Sequence, residues 1–384
     1  MKGDGENTYK KPIMFLLFMI LFTSAISLTG CSQNMEGSIH AGAKHNLIRL
    51  KETPGTSYLG ASIIPIQDED EEFYKAAGWL TNLSILYIAN KGESSTLYSY
   101  NLGSGKANML FRSENPIVAA EISPDKKKIL VHGAAKNSGI LTIIDLSGKE
   151  IFSANIDSYE LSFEWNPFNM NLLTVSAFTE NWDFSTFLLD LNKKQLKEID
   201  LPEPFVRWIS DEELVFQEWQ EQSMALQAPL KVLSVDNLKA EQLFEDLYQF
   251  DAMGKNLITV RVEENEDSEL AYYTIYAPGL EPAATFNAPV LTSFSGWLIP
   301  FYDLMNDGKE ILYLRALHNG EADIYQDGFD LIRLNLDTQR EEIIFSGQPN
   351  EPISCSPSGE MCLTGFQFEK VLNIDTKEIN ELVK

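Results

Sequence analysis

Histidine, cysteine and positive charge are all scarce in this chain of 384 residues: four His, three Cys, and 30 Lys plus Arg against 56 Asp plus Glu. Two of the histidines, His40 and His45, lie near the N-terminus, and the others, His132 and His318, are far apart, so a histidine-rich metal centre is excluded. A formal net charge of −26 repels phosphate backbones and anionic headgroups. Nucleic acid is therefore not an expected partner. No Gly-x-Ser-x-Gly elbow, glycine-rich phosphate loop or Cys-x-x-Cys pair occurs, so the chain offers no catalytic motif, and it calls for no cofactor and no metal. No apolar run approaches the roughly 20 residues that a membrane-spanning helix needs.

The first 30 residues have the three zones of a secretion signal. Lys2, Lys10 and Lys11 make a basic start, Ile13 to Phe22 is an unbroken apolar run of ten, and Leu28-Thr29-Gly30-Cys31 places small residues before a cysteine where a signal would be cut. This box resembles that of bacterial lipoproteins. The resemblance implies cleavage before Cys31 and lipidation of its thiol, which would hold the mature chain to the outer face of the cytoplasmic membrane. Two acyl chains, at about 0.8 kcal/mol per buried methylene, anchor a soluble domain without basic residues. The stretch 31–75, with Gly37, Gly42, Pro54, Gly55 and the run Asp68-Glu69-Asp70-Glu71-Glu72, reads as an acidic tether. Within it, Leu59 to Ile66 is a candidate strand that would close the fold.

Setting Cys31 aside leaves Cys355 and Cys362, seven apart and separated by the turn sequence Ser356-Pro357-Ser358-Gly359-Glu360-Met361. A two-residue loop at Ser358-Gly359 would set them directly across a hairpin. A cross-strand disulfide and two buried thiols both fit this placement.

Residues 76–384 show little helical periodicity and many short β-rich runs separated by turn residues. A strand that closes in a polar turn recurs as Leu97-Tyr-Ser-Tyr-Asn-Leu-Gly-Ser, Leu141-Thr-Ile-Ile-Asp-Leu-Ser-Gly, Thr186-Phe-Leu-Leu-Asp-Leu-Asn-Lys and Leu230-Lys-Val-Leu-Ser-Val-Asp-Asn. It drifts at Tyr272 and returns at Leu331-Ile-Arg-Leu-Asn-Leu-Asp-Thr and Lys370-Val-Leu-Asn-Ile-Asp-Thr. The starts lie 44, 45, 44, 42, 59 and 39 residues apart, the length of a four-stranded propeller blade. Earlier hairpins occur at Ser123-Pro-Asp, Trp165-Asn-Pro, Asn306-Asp-Gly and Ser356-Pro-Ser, where Pro and Gly suit turn corners. Asp145, Asp190, Asn335 and Asp375 are expected to bond back to turn amides. The expected fold is an all-β propeller of four-stranded blades, seven counted and six possible, after a lipoprotein signal and flexible tether.

The motif Ser123-Pro-Asp followed by basic residues and an apolar strand, then an apolar strand ending in Asp145-Leu146, resembles the blades of TolB-type propellers. Together with the lipobox, the acidic tether and Gly78-Trp79-Leu80, the motif makes the chain look like the YqgU-like lipoproteins of Bacillus-type bacteria. That resemblance implies a six-bladed propeller, against the seven units counted here, and it identifies no active site.

Candidate functional side chains are accordingly few. The acidic runs Asp68 to Glu72 and Glu263 to Glu269 lack the alternating oxygens and central Gly of a calcium loop and read as solvated loops. Of Trp165, Trp182, Trp208, Trp219 and Trp297, most are expected to wedge between blades. Trp182 and Trp219, flanked by polar residues in second-to-third strand connections, are the candidates for partner binding. His132 reads as a strand-end histidine. The expected function is a non-enzymatic, monomeric binding or scaffold module for an envelope protein, peptide or glycan. The competing reading is an extracytoplasmic hydrolase or lyase whose acidic loops line the propeller channel.

Overall fold

A computed structural model describes residues 63–67, 70–220, 225–264, 269–305 and 308–384. The signal, Cys31 and most of the tether lie outside the described residues. Seven four-stranded antiparallel sheets follow one another along the chain, at 72–113, 117–157, 160–199, 207–247, 249–289, 302–348 and 353–381, each in simple meander order. They are numbered here as blades 1 to 7. The repeat legible in the sequence is the third strand of every blade, from Ser94–Asn101 in blade 1 to Lys370–Asn373 in blade 7.

Burial explains why the sequence of the middle strands runs almost continuously apolar. Each blade is covered on both faces by its neighbours, so Ile85 to Ala89, Ile129 to Val131, Leu214 to Phe216 and Ile311 to Leu314 are all buried. The fourth strands, such as Lys106–Ser113, face solvent and are mixed in character. Asp145 Oδ1 accepts the amides of Ser147 and Lys149 at 2.8 and 3.0 Å, Asp190 those of Asn192 and Lys193, and Asn335 that of Thr338. In blade 7 this acceptor is Asn373 rather than the expected Asp375, because the strand already ends at Asn373. Glycine is required at Gly148: its φ is +84°, and a Cβ there would lie 1.9 Å from the Leu110 carbonyl oxygen of the adjoining blade.

The 59-residue interval has a structural cause. Two insertions, 291–298 between blades 5 and 6 and 317–328 within blade 6, build a small sheet from Leu291–Ser293, Gly296–Leu298 and Gly320–Glu321, followed by a 3₁₀ turn at Ala322–Ile324.

Among the described residues, the ring closes by side-chain packing between blades 7 and 1 and by the segment 63–66 that joins them. Blade 7 supplies Met361, Leu363 and Val371, which share one core with Trp79, Ile85 and Tyr87 of blade 1. Trp79 Nε1 donates to the Ser354 carbonyl at 2.8 Å. Residues 63–66 straddle the same junction. Tyr100 Oη donates to the Ile64 carbonyl, while Ile66 N donates to Leu382 O at 2.7 Å and pairs with Val383 as a parallel bridge. The boundary drawn at residue 75 is corrected accordingly: the first strand starts at Glu72, and Ile66 is 4% exposed because it packs into the seam.

Two further expectations are adjusted. His132 sits inside the strand Lys128–Ala135, not at its end, edge-on to Phe163 of blade 3 at 5.3 Å. Cys355 and Cys362 do lie directly opposite each other, with Cα atoms 3.9 Å apart and their sulfurs joined. The loop between them is longer than two residues, because Ser356 N bonds to Met361 O and leaves four residues in the turn.

Candidate functional site

Meander blades send their connections alternately to two ends. First-to-second and third-to-fourth turns share one face. Second-to-third loops and interblade links share the other, called here the loop face. Trp182 lies between the strands Leu172–Phe178 and Phe184–Asp190, and Trp219 between Glu213–Gln217 and Ala228–Ser234. Both therefore occupy the loop face, on adjacent blades, and both are half-buried. Trp182 holds φ at +67°, an unusual value for a bulky side chain, in a turn closed by Thr179 N to Asp183 O at 2.8 Å and Trp182 N to Thr179 O at 3.0 Å. Its ring meets Phe178 edge-on at 6.0 Å, and Phe205 stacks on the same Phe178 at 5.6 Å.

These rings belong to a wider pattern. Tyr159, Phe205, Phe294, Leu317, Ile324 and Phe366 are exposed large apolar residues, all in loops of this face, with Tyr159 at 71% and Phe294 at 97%. Among the described residues the turn face has three of this kind: Leu146, Leu238 and Ile64, which lies against the Leu102–Gly105 turn. Trp165, Trp208 and Trp297 are instead buried, at 7%, 1% and 7%. Trp208 Nε1 reaches back to the Glu164 carbonyl of the preceding blade at 3.2 Å, just as Trp79 reaches Ser354.

A second feature lies at the axis, where the first strands of the blades adjoin. At one register height these strands place Gly78, Glu121, Glu164, Arg207, Asp251, Asp303 and Ser354, one residue per blade. Five of the seven are ionisable, and each is held between apolar neighbours that point into the blades. Arg207 is the cation among them. Its Nε contacts Asp251 Oδ1 at 2.7 Å on one side, and its guanidinium lies 3.3 Å from Glu164 Oε2 on the other. Asp303 is occupied by the Cys355 amide at 2.6 Å. Lys75 stands nearby on the first strand of blade 1, with its charge felt by Glu121.

Enclosure governs the protonation of this ring. Burial raises Glu121 to about 7 and Glu164 to about 8, against the lowering pull of Arg207. Asp303 rises to about 7 for the same reason, although two backbone amides favour its ionised form. Burial also lowers Lys75, and it drops His132 to about 4. The signs oppose one another below pH 6.5. A raised carboxylate contributes stability that is lost as pH rises from its unfolded value to its folded one, whereas a neutral buried His contributes stability that grows from about pH 4 to 6.5. Above 6.5 the carboxylates set the slope, and the lowered Lys75 opposes it only as that ammonium begins to lose its proton. The melting temperature is therefore expected to fall between pH 6.5 and 8.5, by the equivalent of about 1–3 kcal/mol. Glu164→Gln should flatten that fall in thermal melts, and an unchanged slope would show that these groups are well solvated.

Sequence reading missed this ring, although its signal is present. Glu121, Glu164, Arg207 and Asp251 recur 43 or 44 residues apart, each directly between two apolar residues. Acidic loops were expected at the channel. The axial carboxylates come instead from strand interiors, and of the acidic run near the tether, Glu71 is engaged at the start of blade 1 by Tyr98 Oη at 2.9 Å. Among the described residues, no three His, Cys, Asp or Glu side chains converge as metal ligands.

Comparison with known proteins agrees with this architecture. The family model described as the YqgU-like 6-bladed β-propeller domain matches residues 101–365. That span contains five whole blades and parts of two more, while the described residues form seven four-stranded sheets. A Bacillus subtilis (strain 168) protein described as uncharacterized lipoprotein YqgU is 23% identical over 366 residues, covering 95% of this chain and 96% of its own. A solved structure of an uncharacterized Listeria monocytogenes EGD-e protein superposes with a TM-score of 0.75 at 20% identity, over 84% of this chain and 98% of that one. The β-propeller domain of the Trilobed protease from Pyrococcus furiosus, described as having an open velcro topology, gives 0.54 at 14% identity, over 82% and 99%. These two structural likenesses speak to fold.

Proposed function

The chain belongs to the YqgU-like β-propeller family, and from that membership we propose that it is a lipoprotein anchored through Cys31 on the outer face of the cytoplasmic membrane, where its loop face binds an envelope protein, peptide or glycan. The observation that carries the binding role is the concentration of exposed aromatic and aliphatic side chains on one face of the ring. Strand residues are committed to packing between blades, so a partner meets the loops. A photo-crosslinking residue at Phe294 or Tyr159 should capture a partner in intact cells, whereas one at Leu146 on the turn face should not. Equal capture from both faces would sink the assignment.

Trp182 and Trp219 are the proposed contact residues. Replacing either ring by Ala should weaken partner binding by roughly 1–4 kcal/mol while moving the melting temperature little. Trp208→Ala supplies the contrast, because truncating a buried ring leaves a cavity and costs about 3–5 kcal/mol of stability. A drop of that size in Trp182→Ala and Trp219→Ala would make both rings wedges. For the anchor, Cys31→Ser should abolish incorporation of labelled palmitate and release the protein from the membrane fraction. Retention of label in that variant refutes the anchor.

The alternative of a hydrolase or lyase draws on the axial carboxylates, since burial raises Glu121 to about 7 and Glu164 to about 8, toward the range a general acid needs. Turnover of a glycan or ester that disappears in Glu164→Gln would favour it over a binding module.

A further inference from the structure

Charge is divided unevenly between the two faces of the ring. Among the described residues, the second-to-third loops and interblade links carry twelve Asp or Glu and a single lysine, Lys136, whereas the turns of the opposite face carry seven acidic residues and nine lysines. Blades 1 to 3 account for the surplus: their turns hold Lys126, Lys127, Lys149, Lys193 and Lys194 against Asp125 alone. The adjoining strand ends add Lys106 and Lys128 on one side and Asp145, Glu150 and Asp190 on the other, so the patch stays positive in a chain of net charge −26.

The lysines of this patch project into solvent. Lys127 and Lys193 have side chains 77% and 73% exposed, and their contacts with Asp125 at 3.7 Å and Asp190 at 2.8 Å are surface ion pairs, which hold a side chain only weakly. Lys106, Lys149 and Lys194 are exposed as well. Asp145 and Asp190, the nearest acidic neighbours, direct oxygens at turn amides.

A separate observation concerns the path of the chain. Ile64 N donates to the Leu102 carbonyl at 2.8 Å and its side chain covers Gly105, so the segment lies on the third-to-fourth turn of blade 1, beside Lys106. By Ile66 the chain has reached Leu382 and Val383, at the loop-face end of blade 7. Traced backward, the chain therefore leaves the ring at the turn face, next to the basic patch. Residues 31–62 connect this point to Cys31. They span at most roughly 110 Å, against about 50 Å for the breadth of a domain of this size. Length alone leaves either face free to meet the membrane. Charge decides between them.

We propose that the turn face of blades 1 to 3 docks on anionic lipid headgroups, which sets the anchored propeller with this face toward the bilayer and its loop face away from it. The proposal rests on the anchor at Cys31. Near an anionic surface each lysine is attracted and each carboxylate repelled, within a Debye length of about 8–10 Å. The two faces feel this field in opposite senses, so both push toward one orientation. From solution, so small a patch could not bring an acidic chain to such a surface. On a tether the encounter is intramolecular, and a weak basic signal then adds to the acyl chains. The same orientation turns Tyr159 and Phe294 outward, where an envelope partner would meet them.

The test reconstitutes the purified full-length chain into vesicles of phosphatidylcholine, with or without a third of phosphatidylglycerol, that carry an acceptor dye on a headgroup. A donor dye sits on a cysteine introduced by Leu146→Cys or by Phe294→Cys. In the anionic vesicles at low salt, energy transfer from the Leu146 position should exceed that from the Phe294 position by about twofold or more. The difference should shrink in neutral vesicles and at 1 M salt, where the Debye length is about 3 Å. Lys127→Glu, Lys149→Glu and Lys194→Glu together should abolish it without moving the melting temperature. Lys239→Glu, Lys255→Glu and Lys309→Glu, the same change of charge on the turns of blades 4 to 6, should preserve it. Equal transfer from the two positions overturns the proposal, as does a preference that survives in neutral vesicles or is lost equally in both triple variants. Patch-dependent binding of soluble polyphosphate that is tighter than binding to the vesicles would assign the lysines to an anionic polymer instead of lipid, and overturns it too. Flotation of the same vesicles reads the anchor separately: a parent that does not float refutes the anchor and this proposal with it, whereas one that floats with equal transfer refutes the orientation alone.

Discussion

A chain ending at Gln348 is expected to aggregate instead of melting cooperatively. Such a truncation removes blade 7, and with it Met361, Leu363, Val371 and Leu382 from a core they share with Trp79, Ile85, Tyr87 and Tyr100 of blade 1. Burying each such side chain is worth about 1.5–3 kcal/mol, so four of them amount to roughly 6–12 kcal/mol, comparable with the whole stability of a typical domain. The cut also strips the indole of Trp79 of its acceptor at Ser354 and the segment at Ile66 of its partners at Leu382 and Val383. Blades 1 and 6 would then each expose an apolar flank with nothing to cover it, a standing invitation to association. Solubility after expression and a thermal melt of the purified fragment decide the matter. A soluble fragment with one sharp transition would make blade 7 an appendage to a six-bladed ring, in line with the blade count in the family's description.

Much of this architecture was legible because blades repeat. The third strands announced themselves through an apolar run ended by Asp or Asn, and that residue is there for a physical reason: its side chain satisfies the amides of the turn that follows. The interval between Tyr272 and Leu331 looked anomalous for an equally physical reason, since insertions at loop-face connections lengthen the sequence without touching the blade. What the sequence hid was convergence. Glu121, Glu164, Arg207 and Asp251 look like ordinary surface charges one at a time, because a lone charged residue in a short strand is the normal sign of a solvated face. Only the ring turns four outward-facing positions of four strands toward one another. The same holds for the loop face: Trp182 and Trp219 were singled out by their polar neighbours, whereas Tyr159, Phe294 and Phe366 sit in unremarkable loops and share a face only through blade topology.

Arg207→Met should be among the most damaging single substitutions away from the packed cores. The guanidinium is two-thirds covered and pairs with carboxylates from the blades on either side, so Met fills much of its volume but leaves Glu164 and Asp251 facing each other without a counter-charge. Removing one partner from such a site costs about 3–5 kcal/mol, more than replacing the whole cluster would. The sign of the pH dependence separates this cause from a packing defect. Without Arg207 the lowering pull on Glu164 and Glu121 is gone, so both are driven further above their ordinary value, and the penalty is felt fully only at pH values where they would otherwise ionise. The deficit against the parent should therefore be largest near pH 8 to 9 and shrink toward pH 5, where the raised carboxylates are protonated in both proteins. A cavity would instead lower the melting temperature by a similar amount at every pH. Adding Glu164→Gln and Asp251→Asn to Arg207→Met should recover most of the loss, since the charges that needed the guanidinium are then absent. If Arg207→Met stays within about 1 kcal/mol of the parent at pH 8, water in the axial opening screens the ring, and the ring behaves as surface ion pairs do.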